Sequence, residues 1–83
     1  MAADIRMIEV SDRVRAKING KHQVSEQDVM EACEAPLAAA WDNDPERGNR
    51  LLVRGCTRSG RVIRIVLFPI DAQSGTWRLG TAF

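Results

Sequence analysis

Residues 51–83 read LLVRGCTRSGRVIRIVLFPIDAQSGTWRLGTAF, and this stretch decides the fold class. It contains three runs of strand-like composition, LLVRGC at 51–56, RVIRIVLF at 61–68 and TWRLGTAF at 76–83, separated by TRSG and PIDAQSG. Short linkers rich in Gly, Ser, Asp and Pro between β-branched and aromatic runs are the mark of hairpins. Consecutive strands joined by so few residues pair antiparallel. Because strand side chains alternate between faces, Ile63, Ile65 and Leu67 share one face, and Val62, Arg64, Val66 and Phe68 share the other. In the neighbouring runs Arg54 aligns with Leu52 and Cys56, and Arg78 falls opposite Trp77 and Leu79. Each run thus offers one arginine near its centre on the face away from an apolar core. If the registers agree, Arg54, Arg64 and Arg78 form a row across the sheet. A wet sheet face carrying ordinary solvated charges gives the same alternation.

Upstream of this block the pattern changes period. Ile5, Met7, Ile8 and Val10 make a short apolar opening that reads as a first strand. Ser11 then offers an N-cap, Asp12 suits the first turn, and Val14 and Ile18 lie four apart, which predicts a helix over about 12–20. Ser25 and Asp28 have capping-box spacing, and Val24 and Val29 occupy the positions of a hydrophobic staple. Val29, Ala32 and Cys33 continue one apolar stripe until Pro36, which predicts a second helix over about 26–34. Residues 36–49, PLAAAWDNDPERGN, have the Asp, Asn, Pro and Gly content of a connector, in which Leu37 and Trp41 bury some surface. Trp77, on the face of Leu79, is expected in the core, and Trp41 likewise. The expected architecture is α+β in the order β-α-α-β-β-β: two short N-terminal helices on a three- to four-stranded antiparallel sheet, spanning residues 1–83 as one domain.

The chain has 83 residues, too few for a second core. Its hydrophobic fraction of 45% and charged fraction of 28% argue against disorder. The net charge of +1 points to no particular partner, but its distribution is uneven. Residues 46–83 hold seven Arg against Glu46 and Asp71, whereas residues 1–45 hold five basic residues and nine acids. The C-terminal half is a basic field. Two cysteines, Cys33 and Cys56, are too few for a disulfide scaffold, and the charged opening MAADIRMIEV lacks the apolar core of an export signal. The longest apolar run, IVLFPI at 65–70, is far short of a membrane span. A reduced, cytoplasmic protein is the expectation.

Phosphate loops, GxGxxG, GxSxG and HExxH are absent, which removes many enzyme classes. His22, Cys33 and Cys56 match no zinc-ligand spacing, so neither a metal nor another cofactor is expected. His22 is the sole histidine, which excludes mechanisms that need two. Histidines before a helix cap are mostly solvent-facing or capping; the functional alternative is phosphate contact or proton transfer.

Two stretches carry a family resemblance. IEVSDRVRAKINGKHQVSEQDVMEA, from Ile8, resembles the opening strand, lysine-bearing helix, KHGVS-like junction and following helix of the BrnT family, ribonuclease toxins of bacterial type II toxin-antitoxin systems with a RelE-related fold. RLLVRGCTRSGRVIRIVLFPIDAQSGTWRLGTAF, from Arg50, is similar to that family's RxxxxGxTxxGRxIxVVL hairpin and closing strand. The two lie in the family's order and cover about residues 8–83. A DUF4258-type relative with an unassigned role would share the core, and many BrnT members continue through an arginine into a basic C-terminal helix. Gln23 stands where the family has Gly, so a left-handed backbone there would cost about 1 kcal/mol unless Gly20 ends the helix.

The resemblance implies metal-independent endoribonuclease chemistry on messenger RNA, in which a ribose 2′-OH attacks the adjacent phosphate. It also implies a cognate antitoxin and a homodimer as partners. On this reading Arg54, Arg64 and Arg78 would stabilise the phosphorane, His22 would transfer a proton, and Lys21 would reach the same phosphate. Arg58 and Arg61, at the hairpin tip, would grip the RNA backbone. The competing expectation is a non-catalytic RNA- or protein-binding module that retains the fold.

Overall fold

The computed structural model describes residues 4–83. Its elements run β1 (Met7–Glu9), α1 (Asp12–His22), α2 (Glu26–Glu34), β2 (Pro36–Asp44), β3 (Gly48–Cys56), β4 (Val62–Asp71) and β5 (Thr76–Ala82). The five strands form one sheet in the order β1-β5-β4-β3-β2. The chain is α+β as expected, but the sheet is larger than the three or four strands read from the sequence, and it is mixed. β1 lies parallel to β5, with Ile8 opposite Trp77, while the other neighbours are antiparallel.

β2, the additional strand, is the stretch expected to be a connector. Its turn chemistry is real but confined to its end: Asp44 accepts hydrogen bonds from the N–H groups of Glu46 and Arg47, and Gly48 takes a φ of +83°. The Glu46 N–H is the main reason that the Asp44 carboxyl titrates below its ordinary range. Residues 36–44, despite the low strand propensity of Ala, pair along β3 from Ala38–Arg54 to Asp44–Gly48. Pairing with the ladder of β3 overrides local preference.

The helices follow their start signals closely. Ser11 accepts the Val14 N–H, and the Ser25 hydroxyl and Asp28 carboxylate form a reciprocal capping box. α1 runs two residues past its expected end, so Gly20 does not stop it. Gln23 does, in the left-handed region at φ 55°, with its N–H bonded to Asn19 O.

Both helices cover one face of the sheet. Ile18, Val24, Val29, Ala32 and Cys33 pack there against Leu51, Val53, Ile63, Ile65, Leu67, Trp77 and Leu79. α2 approaches β3 so closely that a Cβ on Gly55 would lie 2.1 Å from the Ala32 carbonyl oxygen. Trp77 is fully buried, and its Nε1 donates to Asp4 O. Trp41, expected in the core, is 52% exposed on the edge strand, its ring centre 5.6 Å from that of Trp77 and tilted against it by 40°. The helices do not reach out over β2, so Leu37 and Trp41 stay largely open to solvent.

Candidate phosphate-binding face

The face of the sheet opposite the helices carries the arginines. β3 and β4 place Arg54 directly opposite Arg64. The next position across β4 is Phe83, which exchanges both backbone hydrogen bonds with Arg64, at 2.7 and 2.9 Å. Ala38 of β2 sits opposite Arg54 on the other side. The row across the sheet is therefore Ala38, Arg54, Arg64, Phe83.

Arg78 is not in that row. β4 and β5 slip register between Val66 and Leu67, where Gly80 forms a bulge, and Arg78 faces Phe68 instead. Phe68 is four residues from Arg64 along β4, about 13 Å at the usual rise per residue. The three-arginine row expected from alternation is thus a pair plus one displaced arginine. Alternation fixes which face a side chain takes, and a bulge changes its position along the neighbour without any clear sign in composition.

Arg54 and Arg64 border an open groove of about 440 Å³, whose floor is made by Ala38 and Ala40, Leu52, Val66 and Phe83. The two alanines leave the room that larger side chains would fill. Like charges directly opposite on a ladder repel, and no Asp or Glu side chain relieves them: Arg54, Arg64 and Arg78 take part in none of the ion pairs among the described residues. By contrast, Arg50 on β3 binds Asp42 at 2.7 Å.

His22 ends α1 beside this groove, its ring centre 5.9 Å from that of Phe83. Lys21, its neighbour in the same last turn, is exposed. Arg61 is committed elsewhere. Its guanidinium donates to the carbonyls of Gln23 at 2.7 Å and His22 at 2.6 Å, closing the open end of α1. Arg58 reaches Glu34 at 3.5 Å from the β3–β4 turn, and its backbone N–H donates to Glu31. Those two arginines tie the hairpin tip to the helices, whereas Arg54 and Arg64 line one groove and His22 meets it only at Phe83.

Phe83 and the alanines of β2 were missed by sequence reasoning. The signals were a glycine inside a strand pattern, which often marks a bulge, and an aromatic residue continuing the last strand. No group of three or more His, Cys, Asp or Glu side chains is placed to hold a metal among the described residues. Among the same residues, no helix is long and apolar enough to cross a membrane. No protein-family model, curated protein or solved structure matches the chain.

Proposed function

We propose that the protein is a metal-independent endoribonuclease that works on single-stranded RNA at the Arg54–Arg64 groove, as its BrnT-like sequence pattern implies. One observation carries the reading: two arginines occupy directly opposite positions on an open sheet face, without an Asp or Glu partner among the described residues. Such a pair is electrostatically unfavourable alone and favourable around a phosphodiester, whose non-bridging oxygens accept guanidinium hydrogen bonds. The 2′-oxygen of the preceding ribose attacks phosphorus, its proton is taken up, and the 5′-oxygen leaves with a proton, producing a 2′,3′-cyclic phosphate. Arg54 and Arg64 stabilise the charge that grows on the phosphorane. His22, at the groove's margin, is the candidate for proton transfer.

The partners that the resemblance implies, a cognate antitoxin and a second copy of the chain, belong to this proposal. Among the described residues, the outer edge of β2 has no strand beside it, and it is the surface open to an added strand.

A specific observation favours the second reading, a non-catalytic binding module. Cleavage needs both a proton acceptor and a proton donor, and the groove is lined by no histidine and no Asp or Glu side chain, the imidazole of His22 meeting it only at Phe83. The two readings separate on labelled single-stranded RNA incubated in excess EDTA. The endoribonuclease reading expects fragments ending in cyclic phosphate, lost on Arg64→Ala and slowed by about 10²-fold or more by His22→Ala, the lower end for general acid-base catalysis. Binding without fragments, abolished by the same arginine substitution, supports the module.

A further inference from the structure

Where the chain leaves β1 through Ser11 and enters α1, a second cleft of about 340 Å³ opens beside the unpaired part of β5. Arg13 and Lys17, one helical turn apart on α1, line one wall, and Arg78 lines the other. Phe68 contributes the surface between them, and the Arg78 guanidinium carbon lies 5.6 Å from its ring centre. Phe68 can lie across β5 because residue 80 is glycine: a Cβ there would stand 2.5 Å from the Phe68 ring. Lys17 Nζ donates to Gly80 O at 3.5 Å, a long bond that leaves its charge uncompensated.

The cleft therefore gathers three cations, and none of them belongs to an ion pair among the described residues. Of the nearby acids, Asp12 is bound to Arg15, and Glu9 lies beside Arg78 only at the level of the β1–β5 ladder, without an ion pair. Three unneutralised positive groups around one concavity, drawn from two elements far apart in sequence, suit a dianionic or polyanionic ligand.

We propose that this cleft is a second phosphate subsite, which holds a phosphate of the same RNA strand whose other phosphate lies at Arg54 and Arg64. The inference rests on the RNA reading of the groove. The two sites lie about 13 Å apart along β4, too far for one phosphate to reach both. The strip between them, Val66 on β4 and Thr81 on β5, carries no charge and is an open path along the sheet. A strand laid along it meets one cationic site, an uncharged span and a second cationic site, which sets its path and its minimum length.

The test is a fluorescence-anisotropy titration of a labelled oligouridylate of about twelve nucleotides, within the usual span of single-strand sites, over a range of KCl in EDTA. Arg13→Ala/Lys17→Ala removes two cations from the solvent side of α1 without touching the groove, and circular dichroism checks that it folds. The expected result is weaker binding, with a log K against log salt slope shallower by about 0.7, the value for one phosphate contact on a single strand. An unchanged slope, while Arg54→Ala/Arg64→Ala still weakens binding, overturns the subsite and leaves the groove reading intact. Loss of binding in the Arg13/Lys17 variant alone, with Arg54→Ala/Arg64→Ala unaffected, overturns the groove and with it the two-site path, leaving the cleft as the sole RNA site. No RNA binding by the unaltered protein overturns both. Preferential binding of a phosphoserine peptide over the oligonucleotide overturns the RNA assignment.

Discussion

At the scale of single residues, two positions hold the helix layer on the sheet. Gly55 is the point where α2 rests on β3, and any side chain there meets the Ala32 backbone. Because backbone cannot swing aside as a side chain does, Gly55→Ala is expected to cost about 3 kcal/mol, the upper end for overpacking, read as a fall in the urea midpoint at unchanged m-value. Cys33, its neighbour in the core, is buried, and burial pushes its thiol up to about 11. The folded chain thus keeps a proton that the unfolded chain releases above its ordinary value of 9.0. At neutral pH both states hold it and stability is unaffected. As pH rises from 9 toward 11 the unfolded state ionises first, and up to about 2–3 kcal/mol is lost. Urea unfolding at neutral pH and near the upper end should show this loss, and Cys33→Ala should reduce the alkaline slope. An equal slope in the variant contradicts the assignment.

At the scale of elements, the helices were legible in the sequence because their determinants are local. Ser11, the Ser25–Asp28 box and Pro36 act within a turn of where they stand, and α2 spans the residues that those signals mark. The faces of β3 and β4 were legible for the same reason, since alternation needs no partner. What was hidden depends on distant contacts. Residues 36–44 become a strand only because β3 offers an edge, and Arg78 leaves the arginine row only because β5 bulges at Gly80. The end of α1 lies between these cases. Gln23 occupies the left-handed region without being glycine, held there by N–H bonds back into α1 and by Arg61 on its carbonyl. Gln23→Gly should therefore raise stability by about 1 kcal/mol, measured as a higher urea midpoint, provided that the Arg61 contact persists. A drop in stability would mean that the Gln23 side chain makes a contact worth more than the backbone relief.

At the scale of the molecule, the sheet separates two tasks. One face and both helices make the core, with Arg58 and Arg61 tying the hairpin tip to α1 and α2. The other face keeps Arg54, Arg64 and Arg78 without acidic partners on a nearly neutral protein, although residues 1–45 supply nine acids. A chain of this size has little stability to spare, and close like charges reduce it further. Their arrangement is explained if an anion occupies the face. The same logic predicts that inorganic phosphate or sulfate raises the thermal midpoint of the unaltered protein more than that of Arg54→Ala/Arg64→Ala, whereas equal shifts would assign the effect to general salt.

The most direct measurement is a two-dimensional ¹H–¹⁵N NMR titration of the labelled protein with a short single-stranded oligoribonucleotide in EDTA, following backbone and arginine side-chain signals together. The account predicts the largest shifts at Arg54, Arg64 and Phe83, with Arg50, which is paired to Asp42, nearly still. Shifts spread evenly over the surface, or confined to the helices and the hairpin tip at Arg58 and Arg61, would contradict it.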